Sequence, residues 1–332
     1  MISPLKNGIL KVLGYFDLFN FPINSGEIFR FLNARADVQE LSTNLDELAG
    51  MGCIFRFGEY YSLQNNPELL KNRIQGTVRA EKLLKRGRKI SRLLYCFPFV
   101  RGIFISGSLS KRYADENADI DYFIITEANR LWVARTLMHF LKKISFLTGH
   151  EHMLCMNYYI DEEALLIEER NVFTATEMAT LLPVQGNGSI HRFFSNNAWV
   201  RNYFPNQSAS NSDSGAADHN ALIKKGFEFV LRNRLGDWLD NYFMRITSKR
   251  WKLKELRQKR NYKGELMGLK TAKHYSKPNP ELFQKKILHS LENKYDFLSQ
   301  KWSKILGEQH SQILSEGNNI VISNPVPGPM IS

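Results

Sequence analysis

The residues best suited to chemistry lie between positions 102 and 126, where a β-branched run leads into Gly107 and Ser108. After ten intervening residues come Asp119 and Asp121. Carboxylates at positions i and i+2 of a strand project from the same face. Since neighbouring carboxylates repel each other in a cleft of low dielectric, a divalent cation is expected between them. Mg²⁺ favours one or two carboxylates plus substrate phosphates, so the spacing predicts a Mg²⁺ (or Mn²⁺) site at this pair.

The turn before the carboxylates suits a phosphate. Gly107 lets the backbone approach an anion closely, and Ser108 with the amides that follow it at a helix start can hydrogen-bond a triphosphate. Lys111 and Arg112 come next. Contact with phosphate and simple solvation are equally open for these two side chains. The segment therefore predicts a phosphate-binding turn.

This arrangement resembles the nucleotidyltransferase superfamily typified by DNA polymerase beta, whose motif is a hydrophobic strand, Gly-Ser, a spacer and Asp-x-Asp. The resemblance covers residues 98 to 160, under a fifth of the chain. It implies transfer of a nucleoside monophosphate from an NTP to an acceptor hydroxyl or phosphate, with release of pyrophosphate. By the same resemblance, Asp119 and Asp121 hold two Mg²⁺ ions, one at the attacking oxygen and one at the triphosphate.

That superfamily usually places a third carboxylate on the next strand. The corresponding strand here is HMLCMNYYIDEE, in which Asn157 falls near the expected position. Alternation predicts that Cys155, Asn157, Tyr159 and Asp161 share one face. An asparagine can coordinate a metal through its carbonyl oxygen but cannot serve as a base. Glu151 and Asp161 flank the strand and are the alternative carboxylates.

A second resemblance, to a group of bacterial nucleotidyltransferase-domain proteins, covers about two-thirds of the chain. It supports Asn157 as a trait of the group and does not indicate a substrate. The segments that carry it, besides the Gly-Ser and DIDYFIIT core, are YFDLFNFP from Tyr15 to Pro22, Arg130-Leu131-Trp132, Cys155-Met156-Asn157, and Thr174 to Glu177 followed by Pro183.

The elements that must position this site begin with a predicted winged-helix-like domain over residues 1–66. Apolar residues at helical spacing, caps at Asn24 or Ser25, and a Gly58-Glu59 turn indicate three helices and a hairpin. The third helix, near Val38 to Met51, has four acids when Asp37 just before it is counted, and no basic residue, so it would repel DNA phosphates. Protein docking or dimerisation is the favoured role.

The rest of the chain predicts an α/β protein with a mixed sheet. Residues 67–204 form the nucleotidyltransferase core, opened by a long basic helix and continued by alternating strands and helices. Residues 205–220, rich in Ser, Asn, Asp and Ala, indicate a flexible linker. Residues 221–312 predict a helical domain, with the stretch from Ala221 to Leu306 entirely helical, and residues 313–332 predict a disordered tail.

Charge is concentrated in two segments. The chain carries a formal net charge of +12, while segments 71–92 and 245–263 each hold nine basic residues and a single acid. Such segments suit polyanionic partners, nucleic acid included, but solvated helix faces are the simpler interpretation. Nucleic-acid contact through these segments is therefore an open alternative.

Composition excludes several classes. No apolar run reaches the length of a membrane span, and the first residues lack the pattern of a signal peptide. Three distant cysteines argue against a disulfide scaffold and a cysteine zinc site. We expect a cytoplasmic protein without a membrane span.

Two kinds of function compete at this point. The first is a nucleotidyltransferase whose acceptor is a small molecule, RNA or a protein, the last in the manner of a protein AMPylator. The second is a non-catalytic nucleotide- or nucleic-acid-binding regulator that kept the fold without the third carboxylate. A steep salt dependence of nucleic-acid binding without metal-dependent turnover would favour the regulator.

Overall fold

The computed structural model describes residues 3–146, 154–186, 188–207, 221–260, 268–278 and 284–302. Within these ranges the chain forms twelve helices, a three-stranded sheet and a six-stranded sheet. The larger sheet contains parallel and antiparallel neighbours. The predicted α/β class with a mixed sheet is therefore confirmed.

The N-terminal module contains the three predicted helices and the predicted hairpin. Asn24 and Glu27 form a capping box at the start of the second helix, and Asp37 caps the third. A short strand before the second helix also joins the hairpin, in the order β1-β3-β2. The elements are α1 (Pro4–Asp17), β1 (Ile23–Asn24), α2 (Ser25–Phe31), α3 (Val38–Gly50), β2 (Phe55–Phe57) and β3 (Tyr60–Ser62).

The central sheet has the order β7-β4-β5-β6-β9-β8. Only β5 and β6 run parallel, and the other neighbours in this order are antiparallel. The helix that connects β5 to β6 is the crossover that a parallel pair requires. The strands are β4 (Val100–Ile105), β5 (Asp121–Thr126), β6 (Cys155–Asp161), β7 (Leu182–Gln185), β8 (Leu269–Thr271) and β9 (Tyr275–Pro278).

Helices cover both faces of this sheet. On one face, α4 (Pro67–Tyr95) and the crossover helix α6 (Leu131–Phe146) bury one set of strand side chains, including Ile105, Tyr122 and Tyr159. On the other face, the alternate set, including Phe104 and Phe123, packs with α7 (Val172–Thr180) and α8 (Gly188–Asn196). The second core is continuous with that of the N-terminal module. Two one-turn helices, α5 (Gly107–Ser110) and α9 (Val200–Tyr203), complete the core.

The long helix α4 holds the loop between the Gly-Ser and Asp-x-Asp segments. Asn66 caps the helix and Pro67 occupies its first turn. At Gly76 the ring of Tyr113 lies so close that a Cβ would meet it at 2.3 Å. The Gly76 carbonyl also accepts a hydrogen bond from the Ala114 amide at 3.1 Å. A larger residue at position 76 would therefore displace the loop between the two motifs.

The prediction that Ala221 to Leu306 is entirely helical is wrong. Helices α10 (Ala221–Leu231) and α11 (Arg234–Leu256) are followed by β8 and β9, and β9 pairs with β6. These strands have only three and four residues, too few for a periodic pattern. Their structure depends on pairing with the exposed edge of β6, which local sequence does not encode.

The last described helix, α12 (residues 284–302), returns to the N-terminal module. Leu291, Leu298 and Trp302 join the core that contains Ile9. The Tyr295 hydroxyl donates a hydrogen bond to the Lys11 carbonyl at 3.1 Å. The two ends of the described chain are thus packed together.

Two predicted segments fall largely outside the described residues. Of the linker 205–220, only residues 205–207 are described, and Asn206 there donates hydrogen bonds to the carbonyls of Phe29 and Ala34. The predicted tail 313–332 lies wholly outside them. None of the described helices combines the length and apolar character needed to cross a bilayer.

Candidate active site

The Gly-Ser turn and the Asp-x-Asp segment meet at one edge of the central sheet. Strand β4 ends at Ile105, and β5 starts at Asp121 and runs antiparallel to it. The Ser106 amide donates a hydrogen bond to the Asp121 carbonyl at 2.9 Å. The structure thus brings together the two halves of the motif that the sequence separates by ten residues.

The Asp121 carboxylate lies against Gly107 of this turn. The φ of Gly107 is +68°, in the left-handed region that favours glycine, and a Cβ built there would lie 2.6 Å from Asp121 Oδ2. Any side chain at position 107 would therefore collide with the carboxylate. The missing side chain at position 107 thus makes room for the Asp121 carboxylate against the backbone of the turn.

The two carboxylates differ in their setting. Asp121 is the first residue of β5, whereas Asp119 lies in the preceding loop, and both are partly buried. The buried Ile120 between them accepts a hydrogen bond from the Cys155 amide at 3.2 Å, which ties this segment to β6. Two partly buried carboxylates beside a glycine turn are the donor set that Mg²⁺ accepts when phosphates supply further oxygens.

The residue beside Asp121 on the neighbouring strand is Cys155, not a carboxylate. Burial, and then the negative charges of Asp121 and Asp119, raise the pKa of this thiol to about 12. The thiol is therefore neutral at physiological pH and hydrogen-bonds the Asp121 carboxylate. It cannot supply the charge of a third carboxylate.

Asn157 occupies an irregular position in β6. Tyr122 pairs with Met156 and Phe123 pairs with Tyr158, so Asn157 is the extra residue of a bulge. The predicted alternation from Cys155 to Asp161 is therefore wrong, because the bulge reverses the faces. Met156 and Tyr159 lie in one core, while Tyr158 and Ile160 lie in the other.

Asp161 cannot replace the missing carboxylate. It pairs with Thr126 at the far end of β5, about 16 Å from the level of Asp121 at the usual strand rise. Its buried carboxylate contacts His274 Nδ1 at 2.8 Å and the Asn129 amide at 2.9 Å. Asp161 therefore joins β6 to the loop after β5 and to the turn between β8 and β9. The other alternative, Glu151, lies outside the described residues.

The four predicted phosphate-binding residues are placed differently. Gly107 and Ser108 are at the turn, and Ser108 is exposed. Lys111 Nζ contacts Glu177 Oε1 at 2.7 Å and the Gly107 carbonyl at 3.2 Å, so its ammonium group connects the turn to α7. Arg112 is exposed, and its backbone, at φ +55°, accepts a hydrogen bond from Arg73 through the carbonyl.

Sequence reasoning missed Glu177 as part of this arrangement. Glu177 lies on α7. Burial raises the pKa of the Tyr15 phenol, and the negative charge of the Glu177 carboxylate raises it further. Tyr15 and Glu177 belong to two of the segments quoted for the second resemblance. Those two segments could have pointed to Glu177, because Tyr15 and Glu177 lie close together and Glu177 contacts Lys111 beside the Gly107 turn.

The two basic segments are mostly solvent-facing. In segment 71–92, Arg73 is buried, whereas six basic side chains are exposed and have no ion pair within the described residues: Lys82, Lys85, Arg86, Arg88, Lys89 and Arg92. In segment 245–263, residues 245–260 are described, and Lys254 lies 4.2 Å from the Trp251 ring. The alternatives of a solvated face and a polyanion contact both fit this exposure.

Comparison with known proteins adds no relative. No family model, no curated protein and no solved structure matches this chain.

Proposed function

We propose that this protein is a Mg²⁺-dependent nucleotidyltransferase that moves a nucleoside monophosphate from an NTP to an acceptor and releases pyrophosphate. The observation that supports the proposal most is the close approach of Gly107 to the Asp121 carboxylate, with Asp119 two residues away. A backbone turn without a side chain, placed against paired carboxylates, suits a triphosphate bound through a divalent cation.

In this proposal, different residues of the chain would bind the cation, bind the phosphates and position the turn. Asp119 and Asp121 would hold the cation, which when bound supplies charge neutralisation at the triphosphate and at the attacking oxygen. Gly107 and Ser108 would admit and orient the phosphates through the backbone and the hydroxyl. Lys111, held by Glu177, would keep the turn in place.

A labelling experiment tests this function. The wild type is incubated with each α-labelled NTP, Mg²⁺ or Mn²⁺ and cell extract as acceptor. It is compared with Asp119→Ala/Asp121→Ala and with the control Asp115→Ala/Glu116→Ala, which removes two exposed acids from the same loop. Transfer that is lost in the first variant and retained in the control supports the proposal. Transfer that survives in the first variant contradicts it.

One observation favours the second candidate, a non-catalytic nucleotide- or nucleic-acid-binding regulator. Cys155 occupies the position beside Asp121, and its neutral thiol supplies no negative charge. Metal-dependent NTP binding without transfer to any acceptor would support this candidate. A steep salt dependence of RNA or DNA binding would add nucleic acid as its ligand.

A further inference from the structure

A second charged site lies on the inner face of α6, where Arg135 and His139 are one helical turn apart. Both pack against the fully buried Tyr159 of β6. The Arg135 guanidinium lies 5.8 Å from the Tyr159 ring and 5.4 Å from the Trp132 ring, and the His139 ring lies 6.2 Å from that of Tyr159. Residues at i and i+4 share one helix face, so the two polar groups adjoin each other.

Neither group finds its usual partner. Arg135 is only 7% exposed, yet no carboxylate of the described residues contacts it, and its Nε has no hydrogen-bond acceptor there. The Nε2 atom of His139 is likewise buried without a partner among the described residues. Buried polar atoms are nearly always hydrogen-bonded, so two such atoms on one helix turn need an explanation.

The surroundings add positive charge. Burial lowers the pKa of His139 to about 3, and the charges of Arg135, Lys142, Lys143 and Lys254 add to that effect. Lys254 comes from α11, so two helices bring cations toward the same place. A buried guanidinium without an anion is costly, and the two aromatic rings offset that cost only in part. Among the described residues, no carboxylate offsets the charge of Arg135.

We propose that Arg135 and His139 form an anion site that takes a phosphoryl group. The planar guanidinium can donate two parallel hydrogen bonds to phosphate oxygens, and the imidazole N–H can donate a third. The lysine charges favour a dianion over a monoanion. This site is built from α6 and does not depend on the proposed nucleotidyl transfer.

Phosphate binding by the full chain tests the site. Inorganic phosphate should raise the thermal midpoint of the wild type more than chloride at equal ionic strength, because a ligand that binds the folded state stabilises it. Calorimetric titration should show phosphate affinity about tenfold weaker in Arg135→Gln and about threefold weaker in His139→Gln. Arg88→Gln, which removes an exposed arginine of α4, should bind phosphate as the wild type does.

Two results would overturn the proposal. One is an equal thermal midpoint in phosphate and chloride, and the other is unchanged phosphate affinity in Arg135→Gln. If Arg135→Gln does not fold, unchanged affinity in His139→Gln has the same meaning. Asp119→Ala/Asp121→Ala should keep phosphate binding at this site, so its outcome is separate from that of the transfer assay.

Two further ligands identify the source of the phosphoryl group. Adenosine monophosphate that competes with phosphate, without RNA competition, would assign the site to a small phosphate ester. A short single-stranded RNA that competes, and whose affinity also falls in Arg135→Gln, would assign it to a nucleic-acid phosphate. Failure of both ligands to compete with bound phosphate would restrict the site to the inorganic ion.

Discussion

Arg73 on α4 and Arg135 on α6 are both buried arginines that lie against aromatic rings, but their electrostatic environments differ. Arg73 is 4% exposed, lies 4.2 Å from the Phe21 ring, and contacts Glu27 Oε1 at 2.8 Å. Arg135 is 7% exposed and lies between two rings, without a carboxylate among the described residues. Each guanidinium lies near two aromatic rings, so the presence of the anion is the main difference.

The two arginines differ in whether the fold supplies a counter-charge. Arg73 joins α4 to α2 through Glu27 and to the motif loop through the Arg112 carbonyl at 3.2 Å. Its two terminal nitrogens are hydrogen-bonded within the fold, while its Nε, like that of Arg135, has no partner among the described residues. Arg73 has its counter-charge within the fold and acts as a structural cation. Arg135 has the same burial without that compensation, which is the reason for proposing an external anion there. Four substitutions test this difference.

The largest effect is expected for Arg73→Met. It leaves the Glu27 carboxylate without its partner, and the expected loss of unfolding free energy is about 3 kcal/mol, since Glu27 is 24% exposed and keeps some hydration. Urea unfolding of the variant and the wild type measures it. A loss below about 1 kcal/mol would show that the pair contributes no more than a surface ion pair.

The next effect concerns pH. The pKa of His139 is lowered to about 3 from its ordinary 6.5, so below pH 6.5 the unfolded chain binds more protons than the folded one. His139 therefore contributes stability that is complete above pH 6.5 and is lost as the pH falls toward 3. The wild type should lose about 2 kcal/mol relative to His139→Gln between neutral pH and about pH 5, at ~1.4 kcal/mol per unit.

Unfolding of both proteins across that range checks the expectation. Other titrating groups occur in both chains, so the difference isolates His139 and the cations around it, namely Arg135, Lys142, Lys143 and Lys254. Parallel stability curves for the two proteins would show that His139 does not lie in a cationic, desolvated environment.

A smaller effect is expected for the double variant Glu27→Gln/Arg73→Met. Removing both charges eliminates the unpaired carboxylate. The Asn24 amide donates a hydrogen bond to Glu27 Oε2 at 3.0 Å, and the side-chain oxygen of a glutamine at position 27 can still accept it. The double variant should therefore be about 1 kcal/mol less stable than the wild type, recovering most of the loss of Arg73→Met. If urea unfolding shows that the double variant loses as much stability as Glu27→Gln and Arg73→Met lose together, a direct pairing of the two charges is contradicted.

The smallest effect is expected for Arg135→Met in buffer without phosphate. Methionine fills similar apolar space, and the lost cation–π contacts are balanced by the removal of an uncompensated charge. The stability should stay within about 1 kcal/mol of the wild type. A loss as large as that of Arg73→Met would mean that Arg135 is satisfied in the fold, and would remove the basis of the anion site.

Much of the scaffold follows from local sequence. The cap at Asn24, helical apolar spacing and the Gly58 turn predict the N-terminal helices and hairpin, because these signals act over a few residues. The meeting of Gly107 with Asp121 also follows, since consecutive strands of a sheet usually lie side by side.

Other features depend on contacts that local sequence does not contain. The bulge at Asn157 interrupts a strand whose alternation looks regular, so Cys155 takes the position beside Asp121. The contact of Lys111 with Glu177 spans 66 residues. Helical spacing places Arg135 and His139 on one face, but only packing on β6 shows that they are buried.

Cation binding at the carboxylate pair tests the central proposal most directly. Mn²⁺ can be followed by electron paramagnetic resonance in the presence of a non-hydrolysable NTP analogue, independently of any acceptor. We expect Mn²⁺ and the analogue to bind together in the wild type, with Mn²⁺ affinity at least about tenfold weaker in Asp119→Asn/Asp121→Asn. Equal Mn²⁺ affinity in the two proteins would contradict the assignment of this edge of the sheet as the nucleotide and metal site.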